Sequence, residues 1–122
     1  MDQRIFDLKL KGYCCSQIIM ELGLGYLKKE NGDLMQAMAG LCDGVYQGKI
    51  CGVLSAAICL LYIADPYEAH KKNVRDISEW FEDAFGAVDC QVLLDNPLAK
   101  VEKCPMMIEA TYTKVQELLE WD

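Results

Sequence analysis

Cys51-Gly52-Val53-Leu54-Ser55-Ala56-Ala57-Ile58-Cys59-Leu60-Leu61-Tyr62-Ile63-Ala64, followed at once by Asp65-Pro66-Tyr67-Glu68, decides the fold. From Val53 to Ala64 only Ser55 interrupts the apolar run. A segment apolar nearly all round, with no alternation of period two, reads as the most buried helix of a helical protein. It is too short to span a bilayer. The four residues after it both end that helix and begin another. Asp65 is a good N-cap, Pro66 suits the first helical position, and Glu68 completes a capping box.

Working outward, the periodicity stays helical. Asp2 to Leu10 reads as an amphipathic helix broken by Gly12. Cys14 to Leu27 reads as a second helix whose stripe is Cys15, Ile18, Ile19, Leu22 and Tyr26. Asn31-Gly32 is a turn, and Asp33 is expected to cap a short helix with Leu34, Met35, Met38 and Leu41 inward. Gly40 to Gly44 reads as loop. Beyond Pro66, one face carries Tyr67, His70, Val74, Ile77, Phe81, Ala84 and Phe85 as far as Gly86, the C-terminal stop. A short helix from Asp89 or Cys90 to Leu94 is expected to end at Asn96-Pro97. The last helix is expected to begin at Cys104-Pro105 and to bury Ile108, Tyr112, Val115 and Leu118 or Leu119. The reading is all-α: one domain over residues 1–122, an irregular bundle of five to seven helices around a buried central one.

With 122 residues, 52% apolar and 25% charged, the chain can bury a core without metal or disulfides. Its net charge of -7 opposes phosphate backbones and anionic lipid, so neither nucleic acid nor membrane is expected as a partner. The same charge suits a basic face on a partner protein. The high apolar fraction leaves homodimerisation open. Met1-Asp2-Gln3-Arg4-Ile5 does not look like the start of a secretory leader, and the expected location is cytoplasmic.

Seven cysteines, Cys14, Cys15, Cys42, Cys51, Cys59, Cys90 and Cys104, make an odd number and a poor disulfide framework. On the expected helices, Cys15, Cys51, Cys90 and Cys104 all fall at N-termini. Unsatisfied N–H groups and a partial positive charge there favour thiolate, the form that attacks disulfides and binds metal. Cysteine is only a moderate cap, so helix stability alone does not explain the placement. No Cys-x-x-Cys, zinc-ribbon or ferredoxin spacing is present. Cys59 reads as core, Cys14 as a spare thiol or secondary ligand, and Cys42 as an extra ligand or a residue without a role. His70 reads as a structural histidine on the inward stripe of its helix.

The chain resembles the redox-active proteins named for their C-GCAxxG-C-C cysteine pattern, which are also similar to a domain of split-Soret cytochromes. Gly12-Tyr13-Cys14-Cys15-Ser16-Gln17 resembles the first cysteine motif, and Gly48-Lys49-Ile50-Cys51-Gly52 the Cys-Gly motif. Phe85-Gly86-Ala87-Val88-Asp89-Cys90 resembles the third block and Cys104-Pro105 the fourth. The resemblance implies an all-helical fold with four functional cysteines, Cys15, Cys51, Cys90 and Cys104, in a redox role that suits an iron–sulfur cluster. Val53 and Ala56 are larger than the family's usual residues, and Cys42-Asp43 stands where glycines are common.

Three functions follow as expectations. In the first, the four cysteines, with Gly52 beside Cys51, bind an iron–sulfur cluster for electron transfer. In the second, two of them cycle as a metal-free dithiol. In the third, they hold structural zinc or a purely structural module.

Overall fold

The computed structural model describes residues 3–94 and 97–121, with backbone alone for 97–102. The all-α expectation holds. In chain order the helices are α1 (Gln3–Leu10), α2 (Cys15–Leu27), α3 (Gly32–Met38), α4 (Gly52–Ala64), α5 (Pro66–Glu68), α6 (Val74–Phe85), α7 (Cys90–Leu93) and α8 (Pro97–Leu119). The expected starts at Asp2 and the stop at Asn96 lie outside the described residues. Among the described residues, no helix is long and apolar enough to cross a membrane.

The central helix is α4. It buries Val53, Leu54, Ala56, Ala57, Leu60 and Leu61, and packs on α2, α8 and α6. Helix α2 approaches most closely, because Gly23 has no side chain where a Cβ would run into Leu60. The Tyr112 hydroxyl donates to the Leu22 carbonyl oxygen at 3.1 Å and ties α8 to α2. Tyr26, expected on the buried stripe, instead lies at its rim, stacked on Trp121 with ring centroids 4.1 Å apart. The start after α4 is as expected: Asp65 Oδ1 accepts from the Glu68 N–H at 3.1 Å.

Four local expectations give way. Asn31, not Asp33, caps α3, accepting from the Leu34 N–H at 3.0 Å. Tyr67 and His70 face solvent. A π-turn over Ala69–Asn73 widens the helix between α5 and α6, and the buried face becomes Ala69, Asn73, Ile77 and Phe81, at a strict spacing of four. Ala84 is also exposed. Finally, α8 does not start at Cys104-Pro105. It starts at Pro97 and runs through Pro105. Proline's fixed φ is compatible with a helix, and its cost is the lost N–H bond to the preceding turn. The buried side chains that follow, Met107, Ile108, Tyr112 and Val115, hold the axis continuous.

Between α3 and α4 the chain turns left-handed. Asp43, Gly44, Val45 and Tyr46 have φ of 53°, 59°, 53° and 59°. That backbone disfavours β-branched residues most, so Val45 is held there by its surroundings. The Lys49 N–H donates to the Gly44 oxygen at 3.1 Å, and the Tyr46 hydroxyl to the Ala39 oxygen at 2.9 Å.

Candidate functional site

Three short pieces of backbone bring the cysteines together. The chain before α4 and the chain before α7 pair antiparallel at Ile50 and Asp89. The Cys51 N–H donates to the Val88 oxygen at 2.8 Å, and the Cys90 N–H to the Lys49 oxygen at 2.7 Å. Cys51 and Cys90 are thereby held side by side at the openings of α4 and α7. Cys15 opens α2, where the Gln17 side chain accepts from the Cys14 N–H at 3.1 Å. Cys104 arrives from the interior of α8.

The result is a cavity of about 190 Å³ lined by Cys14, Cys15, Cys42, Cys51, Cys90 and Cys104, with Lys9, Tyr13, Asp43, Gly52 and Leu94. All four cysteines singled out from the sequence are in its wall, and so is Gly52. A Cβ on Gly52 would stand 2.6 Å from the Leu41 oxygen and 3.3 Å from Cys15 Sγ, so only glycine lets Cys15 and the Leu41 carbonyl come this near α4. Cys59 faces elsewhere and is half-buried rather than fully enclosed, and burial pushes its thiol up.

The sequence reading of the thiols needs two corrections. Cys15, Cys51 and Cys90 stand at helix starts, but Cys104 does not, because α8 begins before it. Nor are Cys15 and Cys51 acidic. Burial pushes Cys15 up to about 12, with the neighbouring Cys51 and Cys104 charges adding to it and Asp43 contributing less. Burial likewise pushes Cys51 up to about 11. There the helix-start effect is present, since the Val53 and Leu54 amides favour the thiolate, but desolvation outweighs it. Left without a counter-charge, these groups stay protonated at neutral pH.

The structure also pairs two cysteines whose roles the sequence left open. Cys14 and Cys42 form a disulfide, with Cα atoms 6.3 Å apart. Buried Ser16 lies against both sulfurs, its Oγ 2.9 Å from Cys42 Sγ and 3.5 Å from Cys14 Sγ. Their separation of 28 residues carries no local signal; the pairing exists because α3 and the 3₁₀ turn Ala39–Leu41 fold back over the start of α2. Cys15, Cys51, Cys59, Cys90 and Cys104 remain thiols. Among the described residues, no group of three or more His, Cys, Asp or Glu is gathered so as to hold a single metal ion.

Neither the curated proteins nor the solved structures contain a match to this chain. The family model described as "Putative redox-active protein (C_GCAxxG_C_C)" matches residues 13–118, and the chain belongs to that family.

Proposed function

We propose, for this member of the redox-active C_GCAxxG_C_C family, that Cys15, Cys51, Cys90 and Cys104 hold an iron–sulfur cluster and that the protein carries electrons. The observation behind this reading is the meeting of these four thiols at one cavity, although they come from residues far apart in sequence. The donor set fits the group. Four cysteine sulfurs are the usual ligands of such clusters. A lone metal ion needs its sulfurs drawn in to about 2.3 Å, whereas a cluster takes its ligands around a wider body, in keeping with thiols that ring a cavity without crowding to one point. Gly52, without a side chain, lets Cys15 Sγ and the Leu41 carbonyl oxygen stand close against the start of α4.

When bound, the cluster supplies one-electron chemistry. The chain's own residues set its surroundings. Buried thiols that resist ionisation alone lose their protons readily only against a strong positive charge, so Cys15 and Cys51 select a cationic occupant. The Val53 and Leu54 amides direct N–H groups at the Cys51 sulfur, which raises the reduction potential. Lys9 in the cavity wall opposes the ligands' negative charge. The acidic surface, net -7, suits a redox partner with a basic face in the cytoplasm.

The test is purification without oxygen, a visible spectrum, and iron and sulfide assays on the same sample. Broad absorption near roughly 400 nm with stoichiometric iron and sulfide is expected, and Cys51→Ser is expected to lower both contents. A colourless, iron-free protein refutes the reading.

A further inference from the structure

We propose that Cys14 and Cys42 are a second redox centre beside the four-thiol cavity, a reversible dithiol–disulfide couple that exchanges two electrons with an external dithiol. Three observations carry this. The pair is joined in the wall of the cavity, with Cys14 adjoining Cys15 in sequence. The two sulfurs differ in access. Cys14 is half-buried, whereas Cys42 is 3% exposed, so an incoming thiolate reaches Cys14 Sγ and Cys42 is the sulfur that leaves.

The third observation is Ser16, which is fully buried. Its one hydroxyl proton goes to the Met38 carbonyl oxygen at 2.6 Å. The oxygen's lone pairs are left facing Cys42 Sγ at 2.9 Å. A disulfide sulfur has no proton to offer them, but a Cys42 thiol does. The site therefore holds an acceptor that only the reduced form can use, a feature a permanent cross-link has no need of.

The exchange balances as follows. One thiolate of the external dithiol bonds to Cys14 Sγ, and the Cys14–Cys42 bond breaks. Cys42 departs with the electron pair and takes up a proton, which it donates to Ser16 Oγ. The second thiol of the dithiol then attacks the mixed disulfide and releases Cys14 as a thiol. The protein gains two electrons and two protons, and the dithiol becomes a cyclic disulfide. Reduction thus replaces the covalent tie between Cys42 and the start of α2 with a hydrogen bond to Ser16.

The experiment equilibrates the full-length protein, without oxygen, in graded mixtures of reduced and oxidised dithiothreitol. Thiols are then trapped by alkylation and assigned by peptide mass, with circular dichroism following the fold. Expected is one transition with a two-electron slope, in which Cys14 and Cys42 change together while the fold persists. Ser16→Ala should shift the exchange constant roughly 2- to 10-fold toward the disulfide, the worth of one hydrogen bond. A pair that resists reduction until the chain unfolds, or that stays reduced in the most oxidising mixture, overturns the proposal. So does an unchanged constant in Ser16→Ala. Iron and sulfide measured on the same samples separate this result from the cluster: the couple is expected whether or not the cavity is loaded.

Discussion

Gly52→Ala sets two opposed effects against each other at the first residue of α4. In open space, alanine stabilises a helix relative to glycine by about 1 kcal/mol, partly by restricting the unfolded chain. At Gly52 there is no open space. The new Cβ would stand 2.6 Å from the Leu41 oxygen, and ordinary contact begins at 3.4 Å. The obstacle is backbone, in the 3₁₀ turn Ala39–Leu41, and the next residue is fixed by the Cys14–Cys42 disulfide. Overpacking of this kind costs about 1–3 kcal/mol; against a backbone obstacle the upper half of that range applies, so the clash outweighs the propensity gain and the net change is a loss of up to about 2 kcal/mol. The assay is the urea midpoint, with an unchanged slope showing that the folded state is still compact. Gly25→Ala is the control, because a Cβ there meets nothing within 4 Å in the helix α2, and it should gain about 0.5–1 kcal/mol. A Gly52→Ala midpoint equal to or above wild type would refute the close approach of Leu41 and Cys15 to α4.

Two further outcomes are expected. In the metal-free protein, Cys15 has its thiol pushed from 9.0 to about 12, so above pH 9 the unfolded chain releases this proton while the folded chain keeps it. Its contribution is intact below that pH and falls as pH rises toward about 12, costing about 1 kcal/mol by about pH 10; urea midpoints of wild type and Cys15→Ser at about pH 8 and about pH 10 should converge at the higher value. Pro105→Ala should stabilise the protein by about 1–3 kcal/mol, since it restores a hydrogen bond within a helix interior. A neutral or destabilising result in thermal melts would place Pro105 at a helix start instead.

What the sequence made legible, and what it hid, follows from how far each governing effect reaches. The buried helix α4 and its exit at Asp65-Pro66 are set by neighbours within one turn, and both are found where they were read. Gly86 ends α6 with φ of 86° for the same reason. Pro105 is subject to an equally local rule and departs from it, because its cost is one hydrogen bond while the packing of Met107, Ile108 and Val115 is a property of three helices. His70 faces solvent because a single π-turn shifts the phase of everything before it.

The candidate site divides in the same way. That Cys51 meets helix amides is local and was legible; that its thiol is pushed up rather than down is not, because desolvation sums over every element closing the cavity. The pairing of Cys51 with Cys90 through Ile50 and Asp89 is one bridge long, too short for any alternation to announce. Cys14 and Cys42 meet because α3 is folded back on the start of α2, where Ser16 Oγ donates to the Met38 carbonyl oxygen and the Gln17 side chain to the Met35 carbonyl oxygen, contacts between residues 22 and 18 apart in sequence. Placement at helix starts therefore identifies Cys15, Cys51 and Cys90 as thiols facing the cavity, whereas Cys104 reaches it from the interior of α8. Burial disfavours free thiolates at Cys15 and Cys51, which supports the ligand role proposed for them over a role as nucleophiles.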